Sequence, residues 1–227
     1  MGIETLLVPA GCFMMGSASG REDESPPHEV ELQAFRIGRS PVTNAEYAPF
    51  LDADRAAPPP WWGRPGFDAP DQPVVGVTWD DAAAYAAWLG ELRGGCWRLP
   101  TEAEWEKAAR GGLDAAPTAW GETLPAGEVP EGPLQGPWPT GRGTPNGLGL
   151  CDPGTLVHEW CHDWYAPAYY GVSPRVDPRG PEEGERRASR GGSWRHRVRW
   201  SPPSARSSLP PALRYADYGF RVLREGA

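Results

Sequence analysis

Apolar residues recur at three-to-four spacing in three stretches, and each stretch begins on a threonine with an acid three residues later. Thr43-Asn44-Ala45-Glu46, Thr78-Trp79-Asp80-Asp81 and Thr101-Glu102-Ala103-Glu104 share this arrangement. A threonine oxygen can take an orphan first-turn amide while the carboxylate reaches back to the threonine N–H, so all three predict helix starts. Tyr47 and Phe50 follow the first box, Tyr85, Trp88 and Leu92 the second, Trp105 and Ala109 the third. Pro49 predicts a short first helix. Gly90 and Gly94-Gly95 predict the end of the second, and Gly111-Gly112 the end of the third. Strand signals are brief: Glu29 to Phe35 and Gly219 to Leu223 alternate, while Leu6-Leu7-Val8 is too short to decide and is cut off by Pro9. Pro and Gly replace periodicity from Leu113 to Asn146 and from Ala166 to Glu185, predicting long loops of the kind that carry function or bind an ion.

Composition sharpens this. Gly 29 and Pro 28 in 227 residues would hint at disorder, but Trp 12 implies a buried core. The joint reading is a turn-rich α+β domain, which excludes a helical bundle and most doubly wound folds. No repeat or low-complexity linker divides the chain, so residues 1–227 read as one domain. The net charge of −8 gives no footprint for nucleic acid. It is uneven, with Glu22, Asp23 and Glu24 early and Arg186, Arg187, Arg190, Arg195, Arg197 and Arg199 late. The late stripe reads first as a solvated face and second as a hint of an anionic partner. No apolar run is long enough to span a membrane, and no leader is visible, so the cytoplasm is the default expectation. Cys12, Cys96, Cys151 and Cys161 are too scattered for a disulfide framework or a zinc site and read mostly as buried small residues.

Longer motifs then appear in order. They are Met14-Met15-Gly16-Ser17, Pro41-Val42-Thr43-Asn44-Ala45-Glu46-Tyr47 and Pro73-Val74-Val75-Gly76-Val77-Thr78-Trp79. Trp97-Arg98-Leu99-Pro100-Thr101-Glu102-Ala103-Glu104-Trp105-Glu106, Arg190-Gly191-Gly192-Ser193-Trp194 and Gly219-Phe220-Arg221 follow. Together they resemble the signatures of the formylglycine-generating-enzyme and sulfatase-modifying-factor family across almost the whole chain. The resemblance implies a C-type-lectin fold with two main helices, small antiparallel sheets and much loop. It also implies two copper-binding cysteines after the Arg-Gly-Gly-Ser motif, a soft thiolate pair that suits Cu(I). Here that stretch is Trp194-Arg195-His196-Arg197-Val198-Arg199-Trp200-Ser201, without cysteine. No catalytic cofactor is therefore expected.

Two further metal patterns differ in what supports them. His158-Glu159-Trp160-Cys161-His162 matches H-E-x-x-H, but Asp152-Pro153-Gly154 before it and Pro167 after it leave no long helix, so a zinc protease is not supported. The resemblance instead implies a structural calcium on the side chains of Asp152 and Glu159 and the carbonyls of Thr155 and Val157, oxygen ligands suited to a hard cation.

The segment 195–218 resembles the variable region of diversity-generating-retroelement variable proteins, in which template adenines are mutagenised. Arg195, His196, Ser207, Ser208, Leu209, Leu213, Tyr215, Ala216 and Asp217 are all reachable from asparagine codons, and Lys, Glu, Gln and Met are absent from the segment. Trp200 is not reachable and would be constant. The face expected to meet a protein or other macromolecular ligand adds Arg199, Trp200 and Tyr218, all solvent-exposed. Three functions stay open: a binding protein with a diversified face, a non-variable binding module or inert pseudoenzyme, and an enzyme of another branch. That branch includes iron-dependent C–S bond-forming enzymes, whose ligands sit in an added N-terminal helical domain absent from this sequence.

Overall fold

The computed structural model describes residues 2–128, 134–196 and 201–226. All three threonine boxes form. Helices α1 (Asn44–Asp52), α2 (Trp79–Arg93) and α3 (Glu102–Arg110) each start after the expected threonine, with both hydrogen bonds of the box in place. Pro49 lies inside α1, which stops three residues later. Gly90 does not end α2. The helix passes it, and a Cβ there would lie 3.1 Å from the Gly95 carbonyl oxygen, so this glycine serves close packing rather than termination.

The strands are β1 (Thr5–Val8), β2 (Gly11–Met15), β3 (His28–Leu32), β4 (Phe35–Gly38), β5 (Trp97–Arg98), β6 (His158–Trp164), β7 (Arg187–Arg190), β8 (Arg206–Leu209), β9 (Tyr218–Gly219) and β10 (Leu223–Glu225). Among the described residues they form three sheets, ordered β1-β4-β10-β5, β2-β3 and β8-β7-β6-β9. Each alternating stretch of the sequence divides between two sheets. Glu29 to Phe35 splits into β3, paired with β2, and β4, paired with β1 and β10; Gly219 to Leu223 splits between β9 and β10. Period-two alternation fixes which side chains share a face, but not which neighbour takes the backbone hydrogen bonds. One pairing, β6 with β9, is parallel.

Helices α1 and α2 close on an aromatic cluster in which Tyr47 stacks on Tyr85 at 5.3 Å and Phe220 meets Tyr85 edge-on at 5.4 Å. Helix α3 is held differently. Its Glu102, Glu106 and Arg110 are buried, and every one is paired. Arg110 binds Glu106 at 2.6 Å, Arg206 binds Glu102 through two nitrogens at 2.7 and 3.0 Å, and Arg190 binds Glu106 and lies 3.6 Å from Glu102. Removing one member of such a buried pair costs about 3–5 kcal/mol, because the other charge stays buried. The Arg of the Arg-Gly-Gly-Ser motif is therefore structural.

Candidate functional site at the end of the β6–β7–β9 sheet

Glu159 of β6 lies opposite Arg190 of β7, and His158 lies opposite Tyr218 of β9. This register brings three distant segments to one sheet end: the start of β6, the turn after β7 and the loop entering β9. Gly191 and Gly192 make the turn. Gly191 has φ 74°, and a Cβ on Gly192 would lie 1.7 Å from Ser201 Oγ, so only glycine fits there. Ser193 then donates from Oγ to Asp217 Oδ2 at 3.1 Å, and the His196 N–H closes the turn on the Ser193 carbonyl at 2.8 Å. The His158 N–H donates to the Asp217 carbonyl at 2.9 Å.

His158, His196 and Asp217 converge as a result. Each offers a ligand atom, and these atoms lie within 4.8 Å of one another. The imidazole centroids are 5.0 Å apart. Burial pushes the His158 imidazole down to about 4, with His196 adding to the effect and Asp217 and the Gly191 backbone opposing it. Among the described residues, its buried Nδ1 has no hydrogen-bond partner. A cavity of about 900 Å³ opens beside His158 and His196, with Arg195, Ser201 and Ser207 on one side and Ser19, Arg21 and Glu24 on the other. The acidic early segment meets the C-terminal segment here: Arg206 donates to the Asp23 carbonyl and Ser204 Oγ to Glu24 Oε2, each at 2.8 Å.

The expected binding face is only partly exposed. Arg195, His196, Leu213 and Tyr215 are exposed, while Ser207, Ser208 and Leu209 on β8 are half-buried. Ala216, Asp217 and Tyr218 correct the expectation of exposure. Tyr218 packs into the aromatic core against Trp160, because pairing of β9 with β6 carries the chain back under the sheet. Arg199 and Trp200 lie outside the described residues.

The four residues expected to hold calcium fit the ion only in part. Among the described residues, Asp152 Oδ1 is buried without a hydrogen-bond partner, which fits a cation ligand. Glu159 is engaged by other groups. Arg221 holds both its oxygens and Trp105 donates to Oε2 at 2.8 Å, so a guanidinium already supplies the positive charge. Burial raises the Asp152 carboxyl to about 6. The H-E-x-x-H residues lie on strand β6, where positions four apart are separated by about 13 Å, so His158 and His162 cannot share an ion. Cys151 and Cys161 are buried, and burial raises both thiols; Cys12 and Cys96 are exposed, contrary to the reading of buried small residues.

The family model for the sulfatase-modifying factor enzyme 1-like domain matches residues 1–226. The chain belongs to the sulfatase-modifying factor family. Within it, the chain is 37% identical to the formylglycine-generating enzyme of Streptomyces coelicolor, over 96% of this chain and 88% of that protein. The structure is similar to PvdO from Pseudomonas aeruginosa, with TM-score 0.86, 30% identity and coverage of 98% and 94%. It is also similar to Treponema denticola variable protein 1, with TM-score 0.85, 26% identity and coverage of 98% and 95%. The fold is thus the α+β, lectin-like fold of that family, and the described residues include the three helices that the threonine boxes predict. Among the described residues, no helix is long and apolar enough to cross a membrane.

In the sequence, His158 belongs to a misleading motif and His196 reads as a surface contact. Nothing in their spacing from each other or from Asp217 marks them as neighbours. Only the β6–β9 register and the glycine turn bring them together.

Proposed function

We propose that this chain is a ligand-binding member of the sulfatase-modifying factor family that lacks the copper-dependent oxidation and displays diversified contacts over residues 195–218. The observation that carries the reading is the stretch from Arg195 to Ser201. Where a soft thiolate pair is required, it has none, and Arg195 and His196 instead stand exposed beside a cavity of about 900 Å³. Leu213 and Tyr215 extend the exposed surface. Likeness to a protein titled variable protein 1 supports a diversified face, and the asparagine-codon pattern of the segment supports it independently. The partner is a protein or other macromolecule, held by aromatic and arginine anchors on a rigid scaffold.

Two measurements test this. The genomic locus should contain a reverse transcriptase and an imperfect repeat of the codons for residues 190–221, mismatched only at adenines. Incubation of the chain with Cu(I), oxygen and a cysteine-containing sulfatase peptide should yield no aldehyde. Absence of the repeat would overturn diversification, and aldehyde formation would restore the oxidase reading that the enzyme relatives keep open.

A further inference from the structure

We propose that His158, His196 and Asp217 form a three-ligand site for a divalent transition-metal ion of the zinc class, opening on the cavity beside them. The ligand set is two imidazoles and one carboxylate, which suits such ions and not calcium or magnesium. Among the described residues, this is a group in which ligand atoms from three such side chains lie within 4.8 Å of one another. Ligand atoms sharing one tetrahedral ion with bonds of about 2.0–2.2 Å lie roughly 3.3–3.6 Å apart. The site must therefore tighten slightly. His196 is the residue able to move, since it is exposed on the turn after β7, whereas His158 and Asp217 are fixed by the backbone hydrogen bond between them.

Two independent observations point the same way. His158 is 8% exposed, and among the described residues its buried Nδ1 has no partner, so a polar atom of a residue lining the cavity lacks the bond that burial normally demands. Asp217 is already oriented: Ser193, itself buried, donates to Oδ2 at 3.1 Å, the outer-shell support that ligating carboxylates receive in metal sites. Three protein ligands leave a fourth position open, as in sites where a metal meets an exogenous ligand rather than closing a structural cage. His158 and His196 line the cavity, and there the exposed Arg195, with Arg21 already paired to Asp23 and Glu24, favours an oxyanion group as the fourth donor. The metal site stands on its three side chains alone. Only the statement about the fourth donor rests on the cavity being the binding site.

The test uses the metal alone. The metal-stripped 227-residue chain is titrated with Zn²⁺ by calorimetry and with Co²⁺ by visible absorption, where tetrahedral nitrogen–oxygen coordination gives intense d–d bands. One equivalent should bind. His196→Ala, a surface change that leaves the core intact, should weaken binding at least 100-fold and abolish the Co²⁺ bands. Asp217→Asn should weaken it similarly. Ser193→Ala should weaken it roughly 10-fold through loss of outer-shell support. His162→Ala should bind as the unchanged chain does. No Co²⁺ bands, or binding that survives His196→Ala, would overturn the proposal, and a loss in His162→Ala would move the ion to another part of β6. None of these readouts involves a macromolecular ligand, so failure here leaves the binding-face reading standing. Conversely, a metal-loaded chain whose locus lacks the adenine-mismatched repeat would retain this site and lose that reading.

Discussion

Arg206, inside the segment that resembles a variable region, grips the Glu102 carboxylate of α3 through two nitrogens at 2.7 and 3.0 Å, and both side chains are buried. The ion pair ties the C-terminal segment to the core helix, so position 206 is scaffold, whatever its neighbours present. Arg206→Ala should destabilise the chain by about 3 kcal/mol, since among the described residues it leaves Glu102 buried with Arg190 at 3.6 Å as its cation. Thermal unfolding should show a loss of roughly 6–12 °C for a chain of this size. A loss under ~2 °C would mean that the pair is not buried in solution.

Tolerance should divide sharply within residues 195–218. Arg195→Ala, Leu213→Ala and Tyr215→Ala alter exposed side chains and should each change stability by no more than about 0.5 kcal/mol in urea unfolding. Tyr218→Ala empties a buried position between Trp160 and His158 and should cost about 3 kcal/mol or more. Equal effects at Tyr215 and Tyr218 would contradict the burial pattern.

Asp152 carries a pH dependence of definite sign. Burial raises its native carboxyl to about 6, above the unfolded value of 3.8, so the native state holds a proton that the unfolded state has lost. Stability from this group is full below pH 3.8 and falls as pH rises through 6, by on the order of 3 kcal/mol in total. Asp152→Asn tolerates the left-handed φ of 58° and can still accept the Gly141 N–H. It should be more stable than the unchanged chain at pH 7.5 and equal to it at pH 4, as read by urea unfolding at both values.

Calcium gives a separate outcome at the same residue. With Glu159 held by Arg221, millimolar calcium or its chelation should shift the melting temperature by less than about 1 °C. A rise of several degrees that disappears in Asp152→Asn would mean that calcium displaces Arg221 from Glu159.

Glu159 and Arg221 themselves behave as a unit. Glu159→Gln keeps the shape but removes the charge facing a fully buried guanidinium, and should cost about 3 kcal/mol or more. Double replacement of Glu159 and Arg221 by Gln and Met should cost less than the sum of the single changes, measured as a double-mutant cycle.

Helices and family membership are written in the chain itself. A threonine box is local chemistry, complete within four residues, so Thr43, Thr78 and Thr101 announce α1, α2 and α3 without reference to packing. Ordered motifs from Met14 to Arg221 likewise carry the fold, and the stretch after Ser193 shows that the thiolate pair is missing. Which residues share a site is a matter of folding in three dimensions. Whether Tyr218 faces solvent, whether Glu159 is free for an ion, and whether His158 meets His196 and Asp217 depend on strand register and on a turn that two glycines permit. Such pairings join residues far apart in the chain and leave no periodic trace, because a backbone hydrogen bond between strands is indifferent to the side chains it brings together.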